Sequence, residues 1–576
     1  MTTESPAAPA PKRGALQALA VYLERRSLVM LALGFASGLP NLLIFDTLSA
    51  WMRDAGLTLE TIAFLSLATL AYSFKFLWAP LIDRTKVPGL TMWLGHRRSW
   101  MLVAQAAIMI GLWLMAGGDP ATNLGLIALF AVIVGFAGAT QDIVIDAWRI
   151  EAAGQEKQGV MAASYQWGWR LANVAAGAAA LALAELISWN ISYAIMALLM
   201  LIGVAGVLGA PREAQHEIRP IHAEDIPSRP AFEIPEWFAR LAVLVFGALV
   251  LGSGLSGNVA ILTDAMARMG QTGAADAFKA AWEAKPWGVF AQIAGVLAGG
   301  GIIFLAACPV PGIQTRPGRY LGVALGEPFR EFFTRFGGLA TLILATICLY
   351  RLSDFVLNIM NPFYQDLGFT KIQIAEIRKV FGIPMTMLGV GLGGFAVVRL
   401  GLLRALVVGA FAGPLSNLIF AWLATQGASM SALTVAIGVD NIAGGFSGTC
   451  LIAYMSSLTS AGFTATQYAL FSSLYSLPGK LVASQSGRIV EGSAAAADAG
   501  GVFAALKGLF AATPPEAYAL AAAKSGVTAQ ALGAGYVVFF LYSALIGVVG
   551  VVLAFLVAAR TPKQESADEA AAEPAI

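Results

Sequence analysis

The chain has 576 residues, of which 58% are hydrophobic and only 12% are charged, and its formal net charge is +2. A soluble domain carries roughly 25% charged residues, so this composition excludes a soluble protein and indicates a polytopic membrane protein. The near-neutral charge gives no sign of a nucleic-acid partner, and none is expected.

A membrane-spanning helix needs about 20 mainly apolar residues. Fourteen stretches reach that length, and in chain order they are 28–50, 61–82, 99–117, 122–146, 160–185, 189–209, 238–262, 287–308, 339–363, 372–397, 402–424, 431–457, 466–490 and 533–558. Residues 1–27 are expected to be a tail without a signal-peptide cleavage site, and 559–576 a disordered tail. The Ala-rich segment 491–532 is expected to be a loop outside the bilayer.

The distribution of Lys and Arg predicts the orientation, because cytoplasmic segments are enriched in both. With a cytoplasmic N-terminus, 22 of the 36 lie in inward segments, 7 lie in outward segments and 7 lie within predicted spans. The sequence therefore predicts that both termini are cytoplasmic.

An internal repeat relates the two ends of the chain. WMRDAGLT (51–58) matches FYQDLGFT (363–370) at an offset of 312 residues, and GFAG (135–138) matches GFSG (445–448) at an offset of 310. The second offset also relates Tyr165 to Tyr475 and Arg170 to Lys480. Near-equal offsets in chain order indicate a duplicated unit, as many transporters have.

The repeat divides the chain into a six-helix half at 28–209 and another at 339–558. Residues 210–338 form linkers with two inserted helices, 238–262 and 287–308, that have no counterpart in either half. Six helices per half is the plan of the major facilitator fold. The predicted fold class is an all-α polytopic membrane protein of that fold, with two inserted central helices and fourteen transmembrane helices in all.

A candidate gate follows the second span, in WAPLIDRTKVPGLTMWLGHRRSW (78–100). There Asp83 is expected to receive the end of a neighbouring helix, while the arginines pair with acidic groups. Ordinary positive-inside charge is the alternative, but it does not require an Asp at the helix end. The predicted gate residues are Lys75, Asp83, Arg84, Arg97, Arg98, Asp146 and Arg149.

Charges inside the spans are costly and need partners or water. Asp142 and Asp146 share one helix face because they are four residues apart. Arg170 and Lys480 occupy equivalent places in the two halves, so paired cations facing the pseudo-two-fold axis would suit an anionic substrate. Each needs a counter-charge when the site is empty, and Asp142 and Asp354 are the available carboxylates. Closed ion pairs that clamp helices together are the alternative. Six charges near span ends can instead snorkel to the membrane surface: Asp146, Glu185, Glu376, Arg378, Asp440 and Arg488.

Amides and aromatic rings accompany the deeper charges, as a sugar or peptide ligand requires, although interfacial placement explains some of the Trp and Tyr. The predicted substrate-binding residues are Gln141, Asp142, Tyr165, Trp167, Arg170, Arg351, Asp354, Asn358, Lys379 and Lys480. The candidate proton-coupling carboxylates are Asp142, Asp354 and Asp46.

Five stretches together resemble the AmpG muropeptide permeases, and they are LGFASGLP (33–40), AYSFKFLWAPLIDR (71–84), ATQDIVIDAWR (139–149), LYRLSD (349–354) and FTATQYALFSSL (463–474). The resemblance implies a bacterial inner-membrane importer of anhydromuropeptides, GlcNAc-1,6-anhydroMurNAc with or without peptide. It also implies proton symport, a lipid-embedded monomer and no cofactor. Asp46 departs from the family pattern, and Lys480 replaces an expected Arg, which loses bidentate geometry.

Other functions remain open. A major facilitator transporter of another anionic solute, such as an acyl-CoA or a sugar conjugate, is the first alternative, and a membrane receptor that retains the fold is the second. An enzyme is not expected, because the sequence has no nucleophile–base set and no phosphate-binding loop. The three Cys and three His have no disulfide or metal-ligand pattern, so no metal is expected.

Overall fold

The structure is a computed structural model. It describes residues 21–56, 72, 75–154, 157–212, 226–256, 259–284, 288–308, 314–354, 359–483, 486–514 and 516–561. Within these residues the backbone forms helices and turns and no strand.

The described part of the N-terminal half contains ten α-helical segments. They are α1 (Arg25–Leu42), α2 (Leu48–Asp54), α3 (Ala79–Arg84), α4 (Leu90–Leu94), α5 (His96–Ala116), α6 (Leu124–Glu151), α7 (Gln158–Asn173), α8 (Ala180–Leu186), α9 (Trp189–Leu199) and α10 (Leu201–Gly209). Two π-helical segments, Leu43–Thr47 and Val174–Ala179, join α1 to α2 and α7 to α8.

The remaining helices form the insertion and the C-terminal half. The insertion and its linker contain α11 (Pro230–Ser256), α12 (Ala260–Arg268), α13 (Thr272–Glu283), α14 (Gly288–Ala307) and α15 (Arg316–Phe336). The C-terminal half contains α16 (Ala340–Leu349), α17 (Met360–Asp366), α18 (Lys371–Ala375), α19 (Gly382–Leu400), α20 (Leu402–Ala424), α21 (Met430–Ser457), α22 (Thr464–Ala483), α23 (Ser486–Asp498), α24 (Ala519–Ser525) and α25 (Ala529–Arg560). A third π-helical segment, Glu376–Phe381, joins α18 to α19.

Eleven helices in the described part are long and apolar enough to cross a membrane. The predicted class of polytopic all-α membrane protein is therefore confirmed, although the count of fourteen is not reproduced. Most of predicted span 61–82 lies outside the described residues. Spans 160–185 and 466–490 correspond to helices, but α7 passes through a π-helical segment into α8, and α22 ends at Ala483.

Two segments differ from the sequence prediction. Predicted span 238–262 is instead α11, which begins at Pro230, and the separate helix α12. Proline is favoured in the first helical turn, so the helix begins before the hydrophobic run does. Predicted loop 491–532 contains the end of α23 and the whole of α24. Its many alanines favour helix, which composition alone did not distinguish from an irregular loop.

An aromatic cluster recurs at corresponding places in the two halves. Trp51 lies 6.0 Å from Trp189 and 4.8 Å from Tyr193, as ring centroids. In the C-terminal half Phe363 contacts, in the same way, Tyr536 at 5.0 Å and Phe540 at 4.8 Å. Trp51 and Phe363 are 312 residues apart in the chain. Their respective partners, Trp189 with Tyr536 and Tyr193 with Phe540, are each 347 residues apart. The increase places a segment of about 35 residues between α22 and α25, where α23 and α24 lie.

A carboxylate completes each aromatic cluster. The Trp189 indole N–H donates to Asp54 at 3.0 Å, and the Tyr536 hydroxyl donates to Asp366 at 2.6 Å. Burial raises the pKa of Asp366 above its ordinary value, although the Tyr536 hydroxyl acts in the opposite direction. The two halves therefore share side-chain chemistry as well as helix order at this end of the bundle.

The inserted helices α11 and α14 pack against each other. A Cβ atom at Gly254 would lie 2.8 Å from the Val296 side chain, so the pair depends on a small residue at that crossing. Arg240 of α11 donates to the carbonyl of Cys308, just after α14, at 2.9 Å and pairs with Glu236 at 2.7 Å. Only 17% and 28% of the two spans are buried, so both helices are peripheral and expose apolar surface suited to lipid.

Close helix packing brings α1 against α7 within the N-terminal half. A Cβ atom at Gly34 would collide with the carbonyl oxygen of Tyr165, and one at Gly168 would collide with that of Leu31. Small residues allow membrane helices to approach closely. This packing positions α7 between α1 and the helices α19 and α21 of the other half.

Candidate functional site

The two halves are joined at the end of the bundle that carries Asp83, Arg97 and Arg149, here called the basic end. Asp83 accepts hydrogen bonds from the Thr466 backbone N–H at 2.9 Å and from the Thr466 hydroxyl at 2.7 Å. Thr466 lies in the first turn of α22, whose N–H groups lack partners within the helix and favour a carboxylate. Asp83 of the N-terminal half thus caps a helix of the C-terminal half.

The arginines around Asp83 have different partners. Arg97 pairs with Asp83 and with Glu151, each at 2.7 Å, and its side chain is fully buried. Arg84 pairs with Glu327 at 2.9 Å. Arg98 donates to the Val207 carbonyl at 3.0 Å, at the end of α10, a favourable place for a cation. Acidic partners were expected for all three, whereas this contact of Arg98 goes to the backbone.

Arg149 forms a second link between the halves. Its guanidinium donates to the Ser456 hydroxyl at 2.8 Å and lies 5.0 Å from the centre of the Tyr468 ring. Asp146 accepts from Arg149 at 3.4 Å and lies 3.7 Å from the Lys75 ammonium. Asp146 is buried within this group, so the prediction that it snorkels is wrong. The helix carrying Arg149 packs against α22, and lateral packing encloses the charge.

Helix α7 continues the contacts between the two halves from the basic end toward the middle of the bundle. The Trp167 indole N–H donates to the Met387 carbonyl of α19 at 2.7 Å, and the Gln166 amide donates to the Thr449 hydroxyl of α21 at 2.7 Å. Tyr22 stacks on Trp167 with 5.1 Å between ring centroids. Trp167 was predicted to bind substrate, but here its indole N–H holds the halves together.

Two arginines lie next to these contacts between the halves, farther from the basic end. Arg351, in the turn after α16, forms an ion pair with Asp354, and about a quarter of each side chain is exposed. Arg170 lies close enough to Arg351 for mutual repulsion and 5.3 Å from the centre of the Trp169 ring. In the described part of the chain Arg170 forms no ion pair. Two cations, one from each half, therefore lie close together, and a carboxylate pairs with one of them.

The Asp142 carboxylate lies in a polar cluster within the N-terminal half. The Ser37 hydroxyl donates to it at 2.5 Å, and the Tyr165 hydroxyl lies 2.7 Å from the Ser37 oxygen. Lys75 is the cation that acts on Asp142 electrostatically. Asp142 was expected to balance Arg170, whereas hydroxyl groups and Lys75 surround it. The reason is packing, since α1 lies between α6 and α7 at this level.

The neighbouring Gln141 side chain is buried. Its amide donates to the Ala36 carbonyl at 2.8 Å, which ties α6 to α1. Its side-chain oxygen has no hydrogen-bond partner within the described residues. A buried acceptor without a partner is costly, and a ligand or proton donor could satisfy it.

The structure places the other predicted residues as follows. Asp46 is exposed in the π-helical segment Leu43–Thr47 and is not part of the central group. Asn358 lies outside the described residues. Lys379 and Lys480 have described backbones, in Glu376–Phe381 and α22, but their side chains lie outside the description. The pairing of Arg170 with Lys480 therefore stays a prediction.

Two uncharged polar residues that tie the helices together were not predicted as site residues. Ser37 of α1 donates to Asp142, and Thr449 of α21 accepts from Gln166. Serine and threonine are common in membrane helices, so their identity alone carries little signal. Their position opposite a polar side chain on a neighbouring helix is the informative feature, and that position requires the structure.

The geometry is that of a binding site between two repeated halves of a membrane bundle. The site is closed at the basic end and holds cations, carboxylates, amides and rings. In the described part of the chain no group of three or more His, Cys, Asp or Glu residues could hold a metal ion. A two-half bundle with a central charged site is the arrangement of a membrane transporter.

Comparison with known proteins identifies the family. The model of the Major Facilitator Superfamily matches residues 28–483, and the chain belongs to that superfamily. It is similar to the putative transporter AmpG 4 of Rickettsia conorii, with 27% identity over 82% of this chain and 91% of that protein. It is also similar to the anhydromuropeptide permease of Escherichia coli K12, with 29% identity over 82% of this chain and 76% of that protein.

A solved structure supports the fold. The proton:xylose symporter XylE bound to 6-bromo-6-deoxy-D-glucose aligns with a TM-score of 0.51 and 11% identity, over 96% of this chain and 97% of that one. At this identity the likeness concerns the fold alone. The predicted resemblance to AmpG permeases and the predicted major facilitator fold are both confirmed, and the protein is a transporter rather than an enzyme.

Proposed function

We propose that the protein imports anhydromuropeptides, GlcNAc-1,6-anhydroMurNAc with or without peptide, across the bacterial inner membrane by proton-coupled alternating access. The names of the relatives support the substrate class. The excess of Lys and Arg in alternate segments supports cytoplasmic termini and a cytoplasmic position for the basic end. The protein would then be closed to the cytoplasm in this structure, ready to receive substrate from outside.

The observation that carries the proposal is the meeting of Arg170 and Arg351 between the halves. Two cations held close together in a membrane are unfavourable unless a carboxylate or a ligand balances them. Asp354 pairs with Arg351, whereas Arg170 forms no ion pair in the described part of the chain, so the charge of Arg170 is available to an anionic substrate. The Trp169 ring beside Arg170 offers an apolar face for a sugar.

The gate residues would act on the cytoplasmic side. Release of substrate requires the contacts of Asp83 with α22 and of Arg149 with Ser456 to break. Proton coupling is proposed for Asp142 and Asp354, because a partly buried carboxylate can change its charge during the cycle. Asp46 is the weakest of the three candidates, since its exposed side chain lies apart from the central group.

Purified protein in proteoliposomes, given labelled anhydromuropeptide and an imposed pH gradient, tests the proposal. We expect accumulation with the gradient and slow equilibration without it.

Arg170→Ala should abolish uptake while membrane insertion and thermal stability remain, because Arg170 forms no ion pair in the described part of the chain. Wild-type uptake by well-expressed Arg170→Ala protein would remove Arg170 from the site.

The alternative function, transport of another anionic solute such as an acyl-CoA or a sugar conjugate, uses the same cations. Competition distinguishes the two. Under the proposal an excess of unlabelled acyl-CoA leaves the uptake of labelled muropeptide unchanged. Under the alternative the excess of acyl-CoA reduces the uptake of labelled muropeptide, and the acyl-CoA is itself transported.

A further inference from the structure

A third arginine lies on the outward side of the central pair. Arg378 is part of the π-helical segment Glu376–Phe381, and such segments occur frequently at functional sites. Its guanidinium donates to the side-chain oxygen of Asn361 and lies 6.0 Å from the centre of the Tyr364 ring. Both partners belong to α17, on the helix that follows Arg351 and Asp354 in the chain.

Arg378 was expected to snorkel toward the membrane surface, and the structure shows a different environment. Asp440 of α21 lies within electrostatic range of Arg378, Arg351 and Asp354 and accepts a hydrogen bond from Ser416 at 3.0 Å. Through Asp440 the exposed guanidinium of Arg378 is connected to the central ion pair. A charge directed at lipid would have no such neighbours.

Helix α21 runs past both Arg351 and the region of Arg378, so positions along it give the distance between these two cations. A Cβ atom at Gly448 would lie 3.0 Å from the Arg351 guanidinium, and one at Gly444 would lie 3.9 Å from it. Asp440 is one to two turns farther outward on the same helix, which is about 6–12 Å. One extended ligand can therefore reach both positions.

The chemistry at Arg378 suits a carboxylate. A guanidinium has five N–H donors in a fixed fork, and the contact with Asn361 fixes its direction while part of the fork stays exposed. Arginine binds carboxylates through two parallel hydrogen bonds where geometry allows. The Tyr364 ring supports the cation from one side.

We infer that Arg378, positioned by Asn361 and Tyr364, is a second anion subsite that binds a carboxylate of the peptide stem. The inference rests on the proposed function. In the disaccharide without peptide, the lactyl group of the muramic acid carries the carboxylate. When peptide is attached that group is an amide, and the carboxylates lie farther along the stem. With one stem carboxylate at the central pair, another carboxylate farther along the stem would then lie near Arg378.

Binding affinities in detergent for two probes test the inference. The probes are GlcNAc-anhydroMurNAc and the same disaccharide carrying a tripeptide. Arg378→Gln should weaken binding of the tripeptide probe about tenfold, as the loss of one charge-assisted hydrogen bond predicts, and should change binding of the disaccharide less than about twofold. Arg378→Lys should restore part of the loss, because it keeps the charge without the fork.

Arg268→Gln is the matched control, since Arg268 is an exposed arginine at the end of α12, in the insertion. It should leave both affinities unchanged. An equal loss for both probes in Arg378→Gln would show that Arg378 only positions the central pair, and no loss for either would show that no subsite exists. Both results overturn the inference while leaving the proposed function intact. Failure of the wild-type protein to bind either probe would overturn both.

Discussion

Hydroxyl groups, rather than an arginine, surround the carboxylate of Asp142. Ser37 donates to it, and Tyr165 is hydrogen-bonded to Ser37, so the cluster can persist whether or not Asp142 carries its charge. A permanent ion pair would hold the carboxylate in one state, because removing one charge leaves the other buried and uncompensated. The cluster is therefore suited to a group that gains and loses a proton.

Asp142→Asn should keep substrate binding and lose accumulation driven by a pH gradient. The amide oxygen of Asn can still accept the Ser37 hydrogen bond, so the packing of α1 against α6 should remain, but the side chain can no longer take a proton. The measurement is paired, with substrate affinity in detergent and uptake with and without the gradient.

Asp264→Asn is the control for this variant, since Asp264 is an exposed carboxylate of α12, in the insertion. It should accumulate substrate as the wild type does. Gradient-driven accumulation by Asp142→Asn would exclude Asp142 as the proton site and leave Asp354 as the better candidate. Loss of both stability and affinity would show instead that Asp142 only fixes helix packing.

Among the elements, α15 has the least expected position. It was assigned to a cytoplasmic linker, but it forms a helix that touches both halves at the basic end. Its Glu327 pairs with Arg84 of the N-terminal half at 2.9 Å. Its Glu331 accepts from Gln467 of α22 at 2.6 Å, and Gln467 is almost fully buried. The helix therefore braces the contact between Asp83 and the start of α22.

Glu331→Ala should lower the free energy of unfolding by about 1–2 kcal/mol, because a buried amide loses a charge-assisted hydrogen bond. Glu327→Ala, on the same helix, should lower it by less than about 1 kcal/mol, since the Glu327 side chain is 47% exposed and surface ion pairs contribute little. Thermal unfolding in detergent compares the two variants. Equal shifts for both would show that α15 is not a specific brace of α22.

At the scale of the whole molecule, long apolar runs were enough to predict the class of fold, because a membrane-spanning helix must be both long and apolar. The repeat was also visible, since WMRD and FYQD both carry an aromatic residue three positions before the carboxylate that its cluster binds. Asp83 at a helix end was visible too, because topology alone does not require an acid there.

The sequence could not show which charges face protein and which face lipid. Asp146 and Arg378 both lie near span ends, where snorkelling is the ordinary expectation. Contacts with neighbouring helices instead direct both side chains toward protein. Lys75 lies beside Asp146, and Asn361 accepts a hydrogen bond from Arg378. Such contacts join residues from different helices, and helix periodicity within one chain segment carries no information about them.

The whole molecule is closed at the basic end, so alternating access requires that end to open. Helices α7 and α19 meet there, and a Cβ atom at Gly394 would lie 3.1 Å from that of Ala163. Disulfides join Cβ atoms about 3.5–4.5 Å apart, so Ala163→Cys with Gly394→Cys should form a bond after a small adjustment. The background protein should have Ala at Cys308, Cys348 and Cys450.

Oxidation of this double variant should stop uptake in proteoliposomes, and a reductant should restore it, because the bond prevents the halves from separating at the basic end. Each single variant should transport under both conditions, which also shows whether the Tyr22 hydroxyl near Gly394 can move aside for the new side chain. Mass spectrometry measures the cross-linked fraction. Uptake at the wild-type rate by fully cross-linked protein would mean that α7 and α19 stay together through the cycle, and that substrate leaves by another opening.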